Sequence, residues 1–203
     1  EIDVNFTDEN RNCLVKLKNW YWTSVFDVRY SSGVEGKKSS DCREMIEWFS
    51  NDEKIPSFIV DFRESFYTNL RLKNVRSKGM SKYKGVMCLL ACNGAVDFEK
   101  SINFEDLKAH KDHIFPKSKF KRNGLENSIL NMTWQTSDTN LKKQAKLPSE
   151  YIKQTIEKKF KGKEDEFKKE VLESHLINDD AFEYMKNDQF EEFIQEREKT
   201  ILE

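Results

Sequence analysis

The sequence predicts a mainly helical α+β protein with a short strand-containing segment embedded between helices. Apolar residues recur at helical spacing toward both ends of the chain, whereas residues 102–134 switch to short strand-like runs. A charged fraction of 35% beside 37% hydrophobic residues suits helices with broad solvated faces, and 12% aromatic residues is too many for a disordered chain.

Taken in order, Thr7-Asp8-Glu9 is a capping signal, and Leu14, Leu17, Trp20, Tyr21 and Phe26 follow at helical spacing. They predict a buried first helix over 7–29. Ser31-Ser32-Gly33 and the stretch Gly36 to Ser40 act as breakers, after which Ser40-Asp41 caps a helix carrying Met45, Ile46, Trp48 and Phe49. Residues 55–61 fit more than one state. The turn Lys78 to Ser81 precedes an apolar run from Tyr83 to Ala95, read as a buried helix ending near Asn93-Gly94 at the centre of the core.

Beyond Phe98, the residues Ile102, Phe104 and Leu107 precede Asp112-His113-Ile114-Phe115-Pro116, with a turn at Asn123-Gly124, and short strands fit better than a helix. Helical composition resumes over 138–146. Leu147-Pro148-Ser149-Glu150 restarts a helix through Phe160, and two amphipathic helices fill 164–174 and 179–202. The expected division is a helical subdomain over 1–99, a strand-containing module over 100–163, and acidic helices over 164–203 packing on the same core.

No apolar run approaches the roughly 20 residues that cross a bilayer, and residues 1–12 are polar and acidic, unlike a signal peptide. A soluble, cytoplasmic protein is expected. Cys13, Cys42, Cys88 and Cys92 lack paired C-x-x-C spacing and neighbouring histidines, so they read as reduced, buried thiols, with Cys88 and Cys92 on one helix face. The chain opens without Met and ends in a helix-like pattern, which reads as a fragment of something longer.

The net charge of -1 conceals an uneven distribution. Residues 1–99 balance, residues 100–163 carry 15 basic and 7 acidic side chains, and residues 164–203 carry 5 basic and 14 acidic. The middle is a candidate polyanion-facing surface, and the tail a candidate docking surface or DNA mimic.

Within that basic middle stands Asp112-His113, one of only 3 histidines in the chain. Phosphodiester hydrolysis needs a base to activate water and a hard cation to neutralise charge; imidazole suits the first and carboxylate the second. On a strand, adjacent side chains point to opposite faces, so the pair needs a bend or a partner helix to serve one site. Asn131 and Asn140 follow, the first in a strand-like run, the second opening a lysine-rich helix, and an amide oxygen is a good ligand for a hard metal. His110 reads as a surface residue and His175 as structural. Trp134 is expected to pack beneath the site, and Trp20, Tyr21, Trp22 and Phe26 to belong to a core or interface.

The order D-H-I-x-P, then N-x8-N, then K-x-x-x-P-S-E resembles the HNH, or ββα-metal, nucleases, including the HNH domain of CRISPR effector nucleases. The longer block from Val86 through Asn93-Gly94-Ala95-Val96-Asp97-Phe98 to Asp112-His113-Ile114-Phe115-Pro116-Lys117-Ser118, with Pro148-Ser149-Glu150-Tyr151, resembles the C-terminal nuclease half of GmrSD-like, modification-dependent restriction proteins. Trp20-Tyr21-Trp22, Arg29-Tyr30 and Ser174-His175-Leu176-Ile177 are similar to its flanks. The resemblance implies an HNH endonuclease acting on DNA in restriction and antiviral defence: His113 as general base, Asp112 and Asn140 as ligands of Mg²⁺ or Mn²⁺, and Asn131 as the residue orienting the histidine-bearing loop. It also implies a nucleotide-hydrolysing N-terminal partner domain, which this chain lacks.

Leu141 follows Asn140 where that family frequently has Arg. The loop after His113 is long and basic, and phosphate contact is expected from Lys117, Lys119, Lys121 or Arg122, together with Lys142, Lys143 and Lys146 on the helix after Asn140. The rival readings are a catalytically silent DNA-binding or protein-interaction module and a nuclease directed at RNA.

Overall fold

The computed structural model describes residues 8–99, 109–121 and 124–203. The expected cap residue Thr7, the apolar Ile102, Phe104 and Leu107, and Arg122 and Asn123 lie outside these. The described residues are mainly helical, with one two-stranded sheet. They form two units, Glu1–Leu70 and Arg71–Glu203, so the division falls well before the expected one at 99/100. The helix expected to close the first part belongs instead with the strands that follow it.

In the first unit, α1 (Asp8–Phe26), α2 (Val34–Ser50) and α3 (Ser57–Asn69) surround Met45, Trp48, Phe58 and Ile59, with Trp20 packed against them. Helix α1 offers two stripes: Leu14, Leu17 and Tyr21 on one, Lys16, Trp20 and Thr23 on the other. In the second Lys16 and Thr23 are buried and Trp20 is half-buried, while Leu14, Leu17 and Tyr21 stay 36%, 43% and 46% exposed, against the expectation from hydrophobicity alone. Lys16 explains the choice: its stem is buried while Nζ donates to Trp48 O and Asp52 Oδ1, each at 2.5 Å.

Helix α2 begins at Val34, so Gly36 to Ser40 lie inside it rather than breaking it; the turn is Gly33, at φ 59. Asp41 is therefore no cap. It is buried and accepts the Arg29 fork at 2.8 and 2.6 Å and the Tyr30 hydroxyl at 2.6 Å. Burial raises the Asp41 pKa, yet these bonds from Arg29 and Tyr30 outweigh it and hold the carboxyl below its ordinary value. The ambiguous 55–61 stretch starts α3, whose first amide, Ser57 N, donates to Glu44 Oε2 of α2 at 2.7 Å.

The second unit opens with α4 (Ser81–Cys92) and continues through β1 (Ala109–His113), β2 (Met132–Thr136), α5 (Ser137–Lys143) and α6 (Pro148–Lys159). A four-residue helix α7 (Glu164–Phe167) runs into a π turn and a 3₁₀ turn ending at His175, followed by α8 (Asp179–Lys186) and α9 (Phe190–Leu202). The strands pair antiparallel, with Asp112 opposite Thr133 and His113 opposite Met132. Trp134 of β2 donates its Nε1 to Met87 O of α4 at 2.9 Å, which is why α4 belongs to this unit. The single helix expected over 179–202 is two, broken at Asp188, which takes φ 55 and accepts Ser149 N at 2.9 Å and Ser149 Oγ at 2.5 Å. Neither Gly nor Pro marks that break.

Two groups of rings fill the core: Phe98, Phe160, Phe167 and Phe182 under α6 to α8, and Phe115, Phe120, Phe190 and Phe193 under α9. The cysteines depart from expectation. Cys42, Cys88 and Cys92 are exposed and Cys13 half-buried, because the inward face of α4 is taken by Tyr83, Val86, Met87 and Leu90. No helix among the described residues is long and apolar enough to cross a membrane.

Arg197 of α9 is fully buried and has no carboxylate partner among the described residues. Its guanidinium donates to Leu130 O at 2.7 Å, Met132 O at 2.9 Å and His175 O at 3.1 Å, fastening α9 to the start of β2. Burial pushes its pKa down to about 9, which leaves it charged at neutral pH. His175 is equally buried: Nδ1 meets Thr133 Oγ1 and Nε2 meets Val96 O, each at 2.5 Å, so Nε2 donates to the carbonyl and Nδ1 accepts from the hydroxyl. It is the structural histidine the sequence suggested.

Arg197→Leu strands three buried carbonyls, and a loss of roughly 3 kcal/mol is expected in urea unfolding of the chain. Burial lowers the His175 pKa to about 3, so between the unfolded value of 6.5 and that value the unfolded chain binds more protons. Stability is then full above pH 6.5 and falls as pH drops, by about 2 kcal/mol at pH 5. A His175→Gln variant is expected to flatten that slope in urea titrations at pH 5 and pH 7.5.

Candidate functional site

The site is built where β1 ends. Ile114 N still pairs with Asn131 O at 2.8 Å, but the chain then leaves on a long excursion before returning as β2. Pro116, which lacks an amide donor, sits at this exit, as the sequence suggests. Asn131, wholly buried, closes the excursion with its side chain: Oδ1 accepts Phe115 N at 2.8 Å, while Nδ2 donates to Phe115 O and Glu126 O, each at 3.0 Å. One amide thus satisfies three main-chain groups and fixes the residues immediately after His113.

Helix α5 follows β2 directly. Thr136 caps it, accepting Thr139 N at 3.3 Å, and the buried Asp97 accepts Thr136 N and Thr139 Oγ1, each at 2.6 Å. A carboxylate at a helix N-terminus is favoured by the unpaired amides there. Asp97 was not singled out from the sequence, since its partners lie about forty residues ahead.

Helix α5 turns Thr139 and Lys143 inward, one turn apart. The sequence places Lys143 among lysines facing a phosphate, but its side chain is only 4% exposed. Its Nζ donates to Asp112 Oδ2 at 2.5 Å, to Gln135 Oε1 at 3.0 Å and to His113 O. All three donors of an ammonium are matched. This contact places α5, as a partner helix, against both members of the Asp-His pair.

Asp112 Oδ1 then lies 3.9 Å from His113 Nδ1, too far for a hydrogen bond and close enough for one water to serve both. His113 Nε2 is buried and has no hydrogen-bond partner among the described residues. Burial lowers the imidazole pKa below its ordinary value; the Asp112 charge and the Asn127 side chain oppose this, and Lys143 and Lys117 reinforce it. The ring is therefore neutral, and able to accept a proton, at neutral pH. Asn127 and Gln135 are further residues of this centre that the sequence did not disclose; an amide in a loop or mid-strand carries no local signal.

Asn140 is exposed on α5, three residues before Lys143 and thus on a neighbouring flank of the helix. Asp112 and Asn140 carry a carboxylate oxygen and an amide oxygen, donor types that a hard cation accepts. No group of three His, Cys, Asp or Glu side chains that could hold a metal occurs among the described residues. A carboxylate and an amide oxygen are donors that fit Mg²⁺, which keeps several of its waters.

Lys117, Lys119 and Lys121 are exposed on the excursion, steadied by Phe120 packing between Phe115 and Phe190. Lys142 pairs with Glu99 at 2.8 Å and Lys146 donates to Gln154 at 3.0 Å. His110 is exposed, and Trp134 is half-buried between β2 and α4. Asn131→Ala leaves three main-chain groups unpaired in the interior, and a loss of roughly 3 kcal/mol in thermal or urea unfolding is expected.

No family model and no solved structure matches this sequence. The chain is 40% identical over 209 residues to the uncharacterized protein MJ0686 of Methanocaldococcus jannaschii. That alignment takes in 93% of this chain and 36% of the relative, so the chain spans little more than a third of the length of the curated protein it matches. The likeness is to a segment of a longer archaeal polypeptide, and it assigns no chemistry.

Proposed function

We propose that the chain is the nuclease part of a larger protein and hydrolyses DNA phosphodiester bonds through an HNH-type, ββα-metal site. The observation that carries this reading is the placement of His113: a neutral imidazole 3.9 Å from the Asp112 carboxylate, at the end of a strand whose exit is fixed by Asn131 and whose flank is closed by α5. The order strand, loop, strand, helix supports this reading.

In the proposed reaction His113 removes a proton from water held toward the Asp112 side of its ring, which makes the water a nucleophile at neutral pH. Lys143 holds the Asp112 carboxylate through Oδ2 and leaves Oδ1 facing the imidazole. Asn131 keeps His113 from drifting, and Lys117, near enough to lower the imidazole pKa, supplies positive charge beside a bound phosphate. Asp112 and Asn140 would hold Mg²⁺ or Mn²⁺, which supplies Lewis-acid stabilisation of charge on phosphate and leaving oxygen. A role in restriction or phage defence, and a nucleotide-hydrolysing partner domain, rest on the resemblance; the greater length of the archaeal relative leaves room for a further domain.

Supercoiled plasmid incubated with the chain and Mg²⁺ or Mn²⁺ should be nicked or linearised, with EDTA abolishing the reaction. His113→Ala should lower the rate at least 100-fold, the scale of a lost general base. Metal-dependent cutting that survives in His113→Ala would sink the assignment of the base. Parallel RNA and DNA substrates decide between the two polymers.

A further inference from the structure

Beside the site, between α5 and α6, runs a cleft of about 350 Å³ floored by Phe98, Tyr151 and Thr155. Its rim carries Lys142, Lys146, Lys158 and Lys159, and Glu99 is the only acidic residue among the described residues that line it. Lys142 and Lys146 are held in place by Glu99 and Gln154. Lys158 and Lys159 are exposed and, among the described residues, have no ion-pair partner. Two lysines at the C-terminal end of α6 also face the negative end of its dipole, so they are favourably placed as cations whether or not a ligand is bound.

The cleft is not separate from the chemistry. Lys143 and Gln135 form its inner wall, and the same Lys143 ammonium touches Asp112 and the carbonyl of His113. A strand whose scissile phosphate lies at His113 would therefore pass its neighbouring nucleotides along a basic wall that ends at Lys158 and Lys159. Lysine contacts phosphate as a point charge, without reading the base, so such a wall would hold the backbone independently of sequence.

We infer that the α5–α6 cleft is a binding site for the phosphate backbone of the nucleic-acid strand flanking the cut, with Lys158 and Lys159 as its outer contacts. This rests on the nuclease reading for its substrate. It differs from the phosphate contacts expected of the loop lysines, because it lies on the far side of Lys143 and uses residues of α6.

The test uses the full chain carrying His113→Ala, in EDTA, so that binding is read without cutting. Fluorescence anisotropy with a labelled DNA duplex, repeated over a range of salt concentrations, compares it with Lys158→Glu/Lys159→Glu on the same background. A control, Lys153→Glu/Lys161→Glu, makes the same charge change outside the cleft.

Loss of the two contacts should weaken binding at least tenfold and reduce the salt slope by about 2, near 0.9 per phosphate contact in duplex DNA, while the control changes Kd less than threefold. Unchanged binding in the cleft variant, or equal weakening in the control, overturns the proposal. Hydrolysis of bis(p-nitrophenyl) phosphate, too small to reach from site to cleft, is measured beside it with the His113 form. The cleft variant should retain that activity within twofold, and a parallel loss of it would place the two lysines in the site rather than the cleft. If the His113 form fails to hydrolyse this ester or plasmid DNA, the nuclease reading fails, and the anisotropy still decides the cleft.

Discussion

The second unit depends on a buried ammonium. Lys143 enters from α5 and finds a carboxylate on β1, a carbonyl at the end of β1 and an amide oxygen on β2, so that one cation ties the helix to both strands, with β1 about thirty residues back in the chain. Burial lowers its pKa, and the nearby Asp112 charge opposes that. Replacing either partner would leave a buried charge uncompensated, which typically costs several kcal/mol. Such a contact is weak evidence for stability by itself. It is strong evidence for position, because only one placement of α5 against the strands satisfies all three donors.

Around that ion the interior is unusually polar for a helical protein. Asn131, Thr133, Gln135, Thr139, His175 and Arg197 are all buried, and most of their polar atoms are paired with main-chain groups or with one another. Buried polar groups cost free energy unless matched, so this network fixes a single arrangement of strands and helices. The unmatched atoms are informative too. His113 Nε2, Gln135 Nε2 and Arg197 Nε lack partners among the described residues, and the first of these belongs to the proposed base.

The acidic tail looks different once its partners are visible. Asp188 holds the start of α6 through Ser149, Glu164 and Glu183 pair with Lys186, Asp179 pairs with Lys168, and Glu198 accepts Lys73 N. A good part of the charge counted over 164–203 is therefore spent within this unit. The lysines of 100–163 divide in the same way: Lys143 is internal, Lys142 and Lys146 are partnered, and Lys117, Lys119, Lys158 and Lys159 face outward.

By itself the sequence determined the mixed, mainly helical class and the span of α1, α4 and α6 to within a few residues, because hydrophobic period and turn residues are local properties of the chain. It misplaced or left open what depends on distant partners. The buried face of α1 was decided by Lys16 finding Trp48 and Asp52, the start of α3 by Glu44, and the break before α9 by Asp188 reaching Ser149. The thiols were expected inside and are mostly outside, because larger apolar side chains took the inward face of α4. Only the tertiary structure made Lys143 an internal cation rather than a phosphate contact, and Asn131 a clamp on the main chain. The physical reason is the same throughout: a buried polar group must be matched, and its match is chosen by packing, not by sequence distance.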